Sequence, residues 1–421
     1  MVNVYEGSNK RERVQLLLIV IFIMIQIQLS FESAPGMLRW EKETLAFIWV
    51  AITGCLFIFN FLFKVIKVNP ISLVLALLFT SSCLLSMMIN DDFYSENLFF
   101  IIAVVSGFLI SLIINRDNYL QGYVVAIVIY SAYSLLATYI ILPLHMNSSF
   151  NLFKTYESIL GVPFVDMWLS FSVGWHGLMR NQGIFREPGV FQFFILVALV
   201  IEVFYFKNKN SQLRILVLIV TLITTFSTVG LICLVPILIA YIFVNKKKLK
   251  MRNIMVIGGL PVIVCFMFIN SNDIMTRITN SFSKLVEGSS NLSFQVRLES
   301  IYNNLVASLE SPIFGKSFVN GFHYIQDYLI TFNSDDITGT MFSYIMALGY
   351  FTGLIILFTF YRFCSELSDS AILKILIFII LFLSINTQNL VFNSVIWTFM
   401  FLPFAHSDKT TTNLIKLSEG S

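Results

Sequence analysis

Long apolar runs separated by short polar breaks fill most of the 421-residue chain. A helix needs about 20 such residues to cross ~30 Å of hydrocarbon. The runs predict twelve spans, near 14–31, 44–66, 69–89, 97–115, 119–143, 189–206, 213–227, 229–245, 253–270, 340–361, 371–386 and 389–405. The weakest division lies between 213–227 and 229–245, where Ser227-Thr228-Val229-Gly230 is a soft break. Joining that pair would move every later loop to the other side.

Charge supports the twelve-span reading. It collects 18 of the 27 Lys and Arg in one set of loops, including Lys10, Arg11 and Arg13, Lys207, Lys209 and Arg214, and the run Lys246 to Arg252. Basic residues favour the cytoplasmic side of short loops, so both termini are expected there. Glu32, Glu41, Glu43, Asp91, Asp92 and Glu96 mark outer loops. Two outer segments, 144–188 and 271–339, are too long to be connectors. In the first, Phe164, Met167, Trp168, Phe171 and Trp175 recur at helical spacing and predict a helix in the headgroup plane. In the second, Leu298, Ile301, Tyr302, Leu305 and Leu309 predict another, ended by Pro312 and Gly315. Sealing the loops onto the bundle accounts for both helices as well as gripping a substrate does.

Composition agrees. The chain is 57% hydrophobic and 12% charged, with mean hydropathy +0.82, whereas soluble domains carry about 25% charge. The expected fold is an all-α polytopic membrane protein, a single unit over 1–421. Its net charge of +3, dispersed among apolar runs, offers no nucleic-acid surface. The five cysteines lie in or beside apolar runs without paired or CxxC spacing and read as packing residues. No small-residue cleavage site follows the first run, which is expected to be retained. Apart from Glu202 near a cytoplasmic end, no ionisable Asp, Glu, Lys or Arg lies deep in a span. That argues against an ion-coupled transporter.

Against this background Arg180-Asn181-Gln182-Gly183-Ile184-Phe185-Arg186-Glu187-Pro188-Gly189 stands out, because it sets two guanidiniums and a carboxylate against the apolar run from Val190. Arginine presents a permanently charged, planar fork of donors matched to phosphate oxygens. One charged hydrogen bond contributes roughly 1.5–3 kcal/mol, so a departing pyrophosphate needs several, preorganised. Arg297 in the second long segment is the expected companion of Arg180 and Arg186. Glu187 has two readings, acceptor of a sugar hydroxyl's proton or ion-pair partner of an arginine, and headgroup anchoring is the plain alternative for the arginines. Pro188 suits the first turn of a helix whose amides favour an anion.

The pattern Arg180-x-x-Gly183-x-Phe185-x-x-Pro188 resembles the signature of the O-antigen ligase and polymerase superfamily, membrane enzymes acting on undecaprenyl-pyrophosphate-linked glycans. Ser227-Thr228-Val229-Gly230 resembles its Ser-rich break, Arg297-Leu298-Glu299 with Ser311-Pro312-Ile313-Phe314-Gly315 its second-loop arginine helix and Pro-x-x-Gly turn, and Ala347 to Leu354 its Gly-x-x-x-Gly re-entry. Ligase-like members carry a His just before the helix opening near 340. Here those positions read Asn333-Ser334-Asp335-Asp336, and the nearest histidine is His323. The resemblance therefore implies a Wzy-type polysaccharide polymerase of the bacterial inner membrane, metal-independent and without a cofactor, active on the outer face. Arg180, Arg186, Glu187 and Arg297 would be catalytic, and Gly183, Lys316, His323, Tyr324 and Asp336 would contact substrate. Its partners would be lipid-linked glycans, membrane lipids and a chain-length regulator. A ligase and a polysaccharide flippase are the alternatives. Asp91-Asp92 suggests a metal-dependent glycosyltransferase, but short outer acidic loops are commonly topological, and that reading is preferred.

Overall fold

The computed structural model describes residues 10–38, 41–63, 68–143, 153–157, 163–173, 180–206, 211–245, 292–329 and 338–405. Within them the chain is mostly helical. Helices α1 (Lys10–Gln28), α2 (Ala34–Leu38), α3 (Lys42–Phe63), α4 (Pro70–Ile89), α5 (Ser95–Ile113) and α6 (Arg116–Leu136, extended by a π turn Ala137–Ile141) come first. Three short strands follow, β1 (Lys154–Glu157), β2 (Pro163–Asp166) and β3 (Phe171–Val173). After them come α7 (Pro188–Val200, extended by a π turn Ile201–Phe206), α8 (Gln212–Thr224), α9 (Thr228–Asn245), α10 (Leu292–Glu310) and α11 (Phe318–Tyr324). The last are α12 (Thr340–Glu366), α13 (Ala371–Ile385) and α14 (Ser394–Phe401).

Among the described residues, five helical stretches are long and apolar enough to cross a membrane: Pro70–Ile89, Ser95–Ile113, Arg116–Ile141, Pro188–Phe206 and Thr340–Glu366. Shorter apolar helices cover Glu43–Ile58, Gln212–Thr224, Thr228–Val244, Ala371–Ile385 and Ser394–Phe404. The run 253–270 lies outside the described residues. The soft break does separate two helices. α8 ends at Thr224, the chain turns through Phe226 at φ 48°, and α9 starts at Thr228. Polar residues set several of the starts. Asn69, Asn115 and Asn393 each accept an N–H of the helix that follows, the ordinary N-cap bond.

Two helices are enclosed. Every residue of α7 from Gly189 to Val200 is buried, because α6, α8, α9 and α13 pack around it. All of α14 is buried too, chiefly against α5.

The first long segment departs from expectation. Where apolar spacing predicts a helix over Phe164 to Trp175, β1, β2 and β3 form an antiparallel sheet in the order β1-β2-β3. Trp175 itself lies outside the described residues. The Asp166 carboxylate accepts the Trp168 N–H at 2.9 Å, and Met167 N–H closes the turn onto Ser170 O at 2.9 Å. This side-chain turn reverses the chain, and Trp168, at φ 68° and 70% exposed, is its tip. Phe164 and Phe171 are buried on adjacent strands. A local aspartate turn thus overrides a helical period made of only a few residues.

α12 is interrupted at Gly349, which has φ 82° and ψ 168°. The segment after α10 docks on this break: Tyr350 N–H bonds Pro312 O at 2.8 Å, Lys316 N–H bonds Met346 O at 2.9 Å and Ser317 N–H bonds Ala347 O at 3.1 Å. Gly315, at φ 71°, lies so close that a Cβ there would stand 2.3 Å from the Ala347 carbonyl. A Cβ on Gly349 would stand 2.2 Å from Ile313 O. The Pro-x-x-Gly turn and the glycine of the re-entry motif are therefore one joint. Gly349→Ala should destabilise the protein by at least the ~1–3 kcal/mol of backbone strain at such a φ and ψ, whereas Gly54→Ala, with open space around it, should be near neutral. Thermal unfolding of the purified protein in detergent measures the difference, and equal midpoints would refute the joint.

Candidate active site at the 180–187 segment

Segment 180–186 is laced between three elements before it enters α7. Asn181 N–H bonds Thr224 O at 3.0 Å, and its side-chain amide reaches Ser134 Oγ and Thr224 Oγ1 at 3.0 and 3.2 Å. Gly183 O accepts the Phe171 N–H of β3 at 2.6 Å. Ile184 O accepts the Ala34 N–H at 2.9 Å, Ser33 and Phe185 form an isolated bridge, and Arg186 N–H bonds Glu32 O at 3.1 Å. Glu187 is then extended at φ −141° and ψ 147°, and Pro188 begins the helix.

Arg180 closes the end of α8. Its Nε donates to Thr225 O at 3.0 Å and its Nη2 to Phe226 O at 3.1 Å, satisfying carbonyls that a helix terminus leaves without partners. Its charge also feels Arg297 and Glu187. Burial and the Arg297 guanidinium pull its pKa down, and Glu187 opposes them. Arg297, on α10, is lowered by its own burial, again opposed by Glu187. The two arginines lie 117 residues apart in sequence yet share one electrostatic neighbourhood.

Arg186 completes the group. Its Nε stands 3.9 Å from Glu187 Oε1, an ion-pair distance too long for a hydrogen bond, and has no hydrogen-bond partner. Glu187 is half-exposed. Arg186 thus stands at ion-pair distance from Glu187, and Arg180 and Arg297 feel the same carboxylate, which leaves an excess of positive charge. Such a site attracts a multiply charged anion.

Beneath Arg186 lies Glu32, which sequence reasoning treated only as a marker of an outer loop. It is buried at 3% exposure, and the Asn393 side chain donates to its Oε2 at 2.8 Å. Burial pushes its pKa above the usual 4.5, against the Asn393 bond and the Arg186 charge. Its only signal in the sequence is a carboxylate between an apolar run and Ala34-Pro35-Gly36.

Other candidates lie elsewhere. Lys316 Nζ is 2.8 Å from Glu310 Oε2 and 3.9 Å from the centre of the Tyr324 ring, and Tyr324 OH donates to Glu310 Oε1 at 2.5 Å. Thirteen residues of α10 separate Glu310 from Arg297, about 20 Å at 1.5 Å per residue. Lys316 and Tyr324 therefore satisfy Glu310 and do not join the arginines. His323 is exposed next to them. Gly183 is buried at φ 57°, and a Cβ there would meet the Phe191 ring at 2.6 Å; it shapes the segment and faces the core. Asp336 and His176 lie outside the described residues. Asp92 is a cap: its Oδ2 accepts the Ser317 hydroxyl and, at 3.0 Å, the Asn320 N–H at the start of α11. Among the described residues no three His, Cys, Asp or Glu side chains gather as a metal site. Comparison with protein-family models, curated proteins and solved structures finds no match.

Glu32 gives a test of this geometry. A carboxyl with a raised folded pKa stabilises the fold below its unfolded value, and that contribution is lost as pH rises from 4.5 through the folded value. Glu32→Gln keeps an acceptor for Asn393 and should flatten this pH dependence in thermal unfolding. Glu32→Ala strands the Asn393 amide and should cost about 1–3 kcal/mol at any pH. A slope unchanged in Glu32→Gln would show that the carboxylate is not buried as described.

Proposed function

We propose that the chain is a Wzy-type polymerase of a bacterial surface polysaccharide, a metal-independent glycosyltransferase with about twelve spans, both termini cytoplasmic and its active face on the outer side of the inner membrane. What supports the reading most is the convergence of Arg180, Arg186 and Arg297 on Glu187. The motif order and the apolar helices agree with it.

In this reading the donor is the growing chain on undecaprenyl pyrophosphate, and its phosphates lie among the three guanidiniums. The first amides of α7, which have no side-chain cap, add to the attraction for the anion. The acceptor is the non-reducing end of a lipid-linked repeat unit. Its hydroxyl oxygen bonds to the anomeric carbon as the bond from that carbon to the pyrophosphate oxygen breaks. The electron pair leaves on the pyrophosphate, where the arginines stabilise the developing charge. Glu187, the exposed carboxylate of the group, takes the hydroxyl proton. Arg180 has a second duty in this scheme, since its Nε and Nη2 already hold the end of α8, so it lends charge more than free donors.

Arg297→Ala should lower turnover of lipid-linked repeat units by the purified protein ~10- to 150-fold, the range that one charged hydrogen bond of about 1.5–3 kcal/mol sets. Arg186→Ala should act similarly. Turnover and polymer length unchanged in both, with normal insertion, would end the assignment. Removing the protein from cells should accumulate single lipid-linked repeat units on the outer face. Polymer left on its carrier would indicate a ligase, and lipid-linked units facing the cytoplasm a flippase.

A further inference from the structure

α10 is built inside out for a helix at an aqueous surface. Its side toward the rest of the fold carries Ser300, Asn304 and Ser308, all buried. Asn304 Nδ2 donates to Ser300 O and Thr338 O at 2.7 and 3.2 Å, and Ser308 donates to the Tyr350 hydroxyl at 2.9 Å. Its outward side carries Leu298, Tyr302 and Leu309, the last two exposed by 66% and 67%. Leu305 stands between them. These positions follow the i, i+4, i+7, i+11 spacing that stacks side chains along one face, over about 16 Å at 1.5 Å per residue. Ile313, 68% exposed, continues the stripe beyond the helix. From Leu298 to Leu309 the stripe holds no charged residue; Glu310, paired with Lys316, follows at its end.

Single exposed apolar residues are ordinary, but a contiguous stripe beside a polar buried face is not. In water the cheaper arrangement would rotate the helix half a turn. The stripe is also continuous with other apolar exterior. α10 packs against α12, which packs against α4, and both expose large apolar side chains outward, among them Phe351, Leu354 and Leu77. These are helices of membrane-spanning length and composition. We infer that α10 lies in the outer part of the bilayer with its Leu298, Tyr302 and Leu309 face against lipid acyl chains.

Acyl chains are the occupant that the neighbouring α12 and α4 select, because both have membrane-spanning length and composition and turn large apolar side chains outward. Interior polar contacts then do for α10 what water would otherwise do, since exposed amides and hydroxyls are costly in hydrocarbon. Arg297 is one residue from Leu298, about 100° around the helix, so a helix that meets lipid carries a guanidinium into the group with Arg180. The placement of α10 is independent of what the arginines bind.

Site-directed spin labelling of the full chain in phospholipid nanodiscs tests this. With the five native cysteines replaced, Tyr302→Cys and Leu309→Cys are each labelled with a nitroxide, beside Leu354→Cys on α12 and Lys154→Cys on β1. Both sites are exposed, so labelling disturbs little packing, and Leu298→Cys provides a third. The ratio of oxygen to nickel-chelate collisions at 302 and 309 should match that at 354 and exceed that at 154 several-fold. A ratio equal to that at 154 would put the stripe in water and overturn the inference. Protection from both reagents would mean that a second copy or another protein covers it, and would overturn it as well.

Discussion

The end of α8 is the constraint on which the rest of the site depends. A helix that stops between apolar neighbours leaves carbonyls that need donors, and here the donors are the Arg180 Nε and Nη2. The same side chain therefore does two things at once. It terminates α8 so that α9 can start at Thr228, and it pins a cationic group at the entrance to α7. Asn181 strengthens the arrangement from the next position, by tying Thr224 to Ser134 of α6. Once those bonds are made, the segment that follows has little freedom. Gly183, Ile184 and Arg186 each pair with a backbone group of β3 or of the turn after α1.

That rigidity is what allows like charges to sit together. Burial and the Arg297 charge lower Arg180's preference for the charged form, burial lowers that of Arg297, and Glu187 counters both. Flexible side chains would swing apart into solvent; here Arg180 is held by carbonyls, and Arg297 is delivered by a helix. The resulting potential is unspent in the protein itself, which separates this group from the cluster at Lys316. There one carboxylate, Glu310, takes both the lysine and the Tyr324 hydroxyl, and no excess of either charge remains. Two clusters of similar composition on the same helix thus differ in kind, because one is closed by its own partners and the other is not.

Most helices were legible in the sequence because apolar length alone sets them, and the division at Ser227 was legible from a few polar residues between two apolar runs. The sheet of β1, β2 and β3 was not. Its apolar positions fit a helical period, and the feature that decides against it is a single hydrogen bond from the Trp168 N–H to the Asp166 side chain. Glu32 was equally hidden, since its burial depends on Asn393, 361 residues away, and nothing local distinguishes it from an ordinary loop carboxylate. The proximity of Arg297 to Arg180 has no signature in periodicity either; the charge bias and the order of short motifs suggested only that the two loops share a face. Lys316 and Tyr324 stand toward the other end of α10 from Arg297, because sequence distance along a straight helix is real distance.

The position of Arg297 follows from anchors that lie beyond it. α10 has 19 residues, about 28 Å at 1.5 Å per residue; Asn304 bonds Thr338 just before α12, Ser308 bonds Tyr350 of α12, and the joint of Pro312, Gly315 and Gly349 follows. Arg297 is at the other end, two turns past the first of these ties. The helix is therefore held along its polar face against rotation about its axis. The apolar stripe opposes such rotation too, since turning Arg297 outward would carry Leu298 and Tyr302 toward the bundle and pull Asn304 and Ser308 off Thr338 and Tyr350. The glycines that allow the joint, the polar residues that grip α10 and the apolar residues that face away thus act on one quantity, the separation of Arg297 from the 180–187 segment.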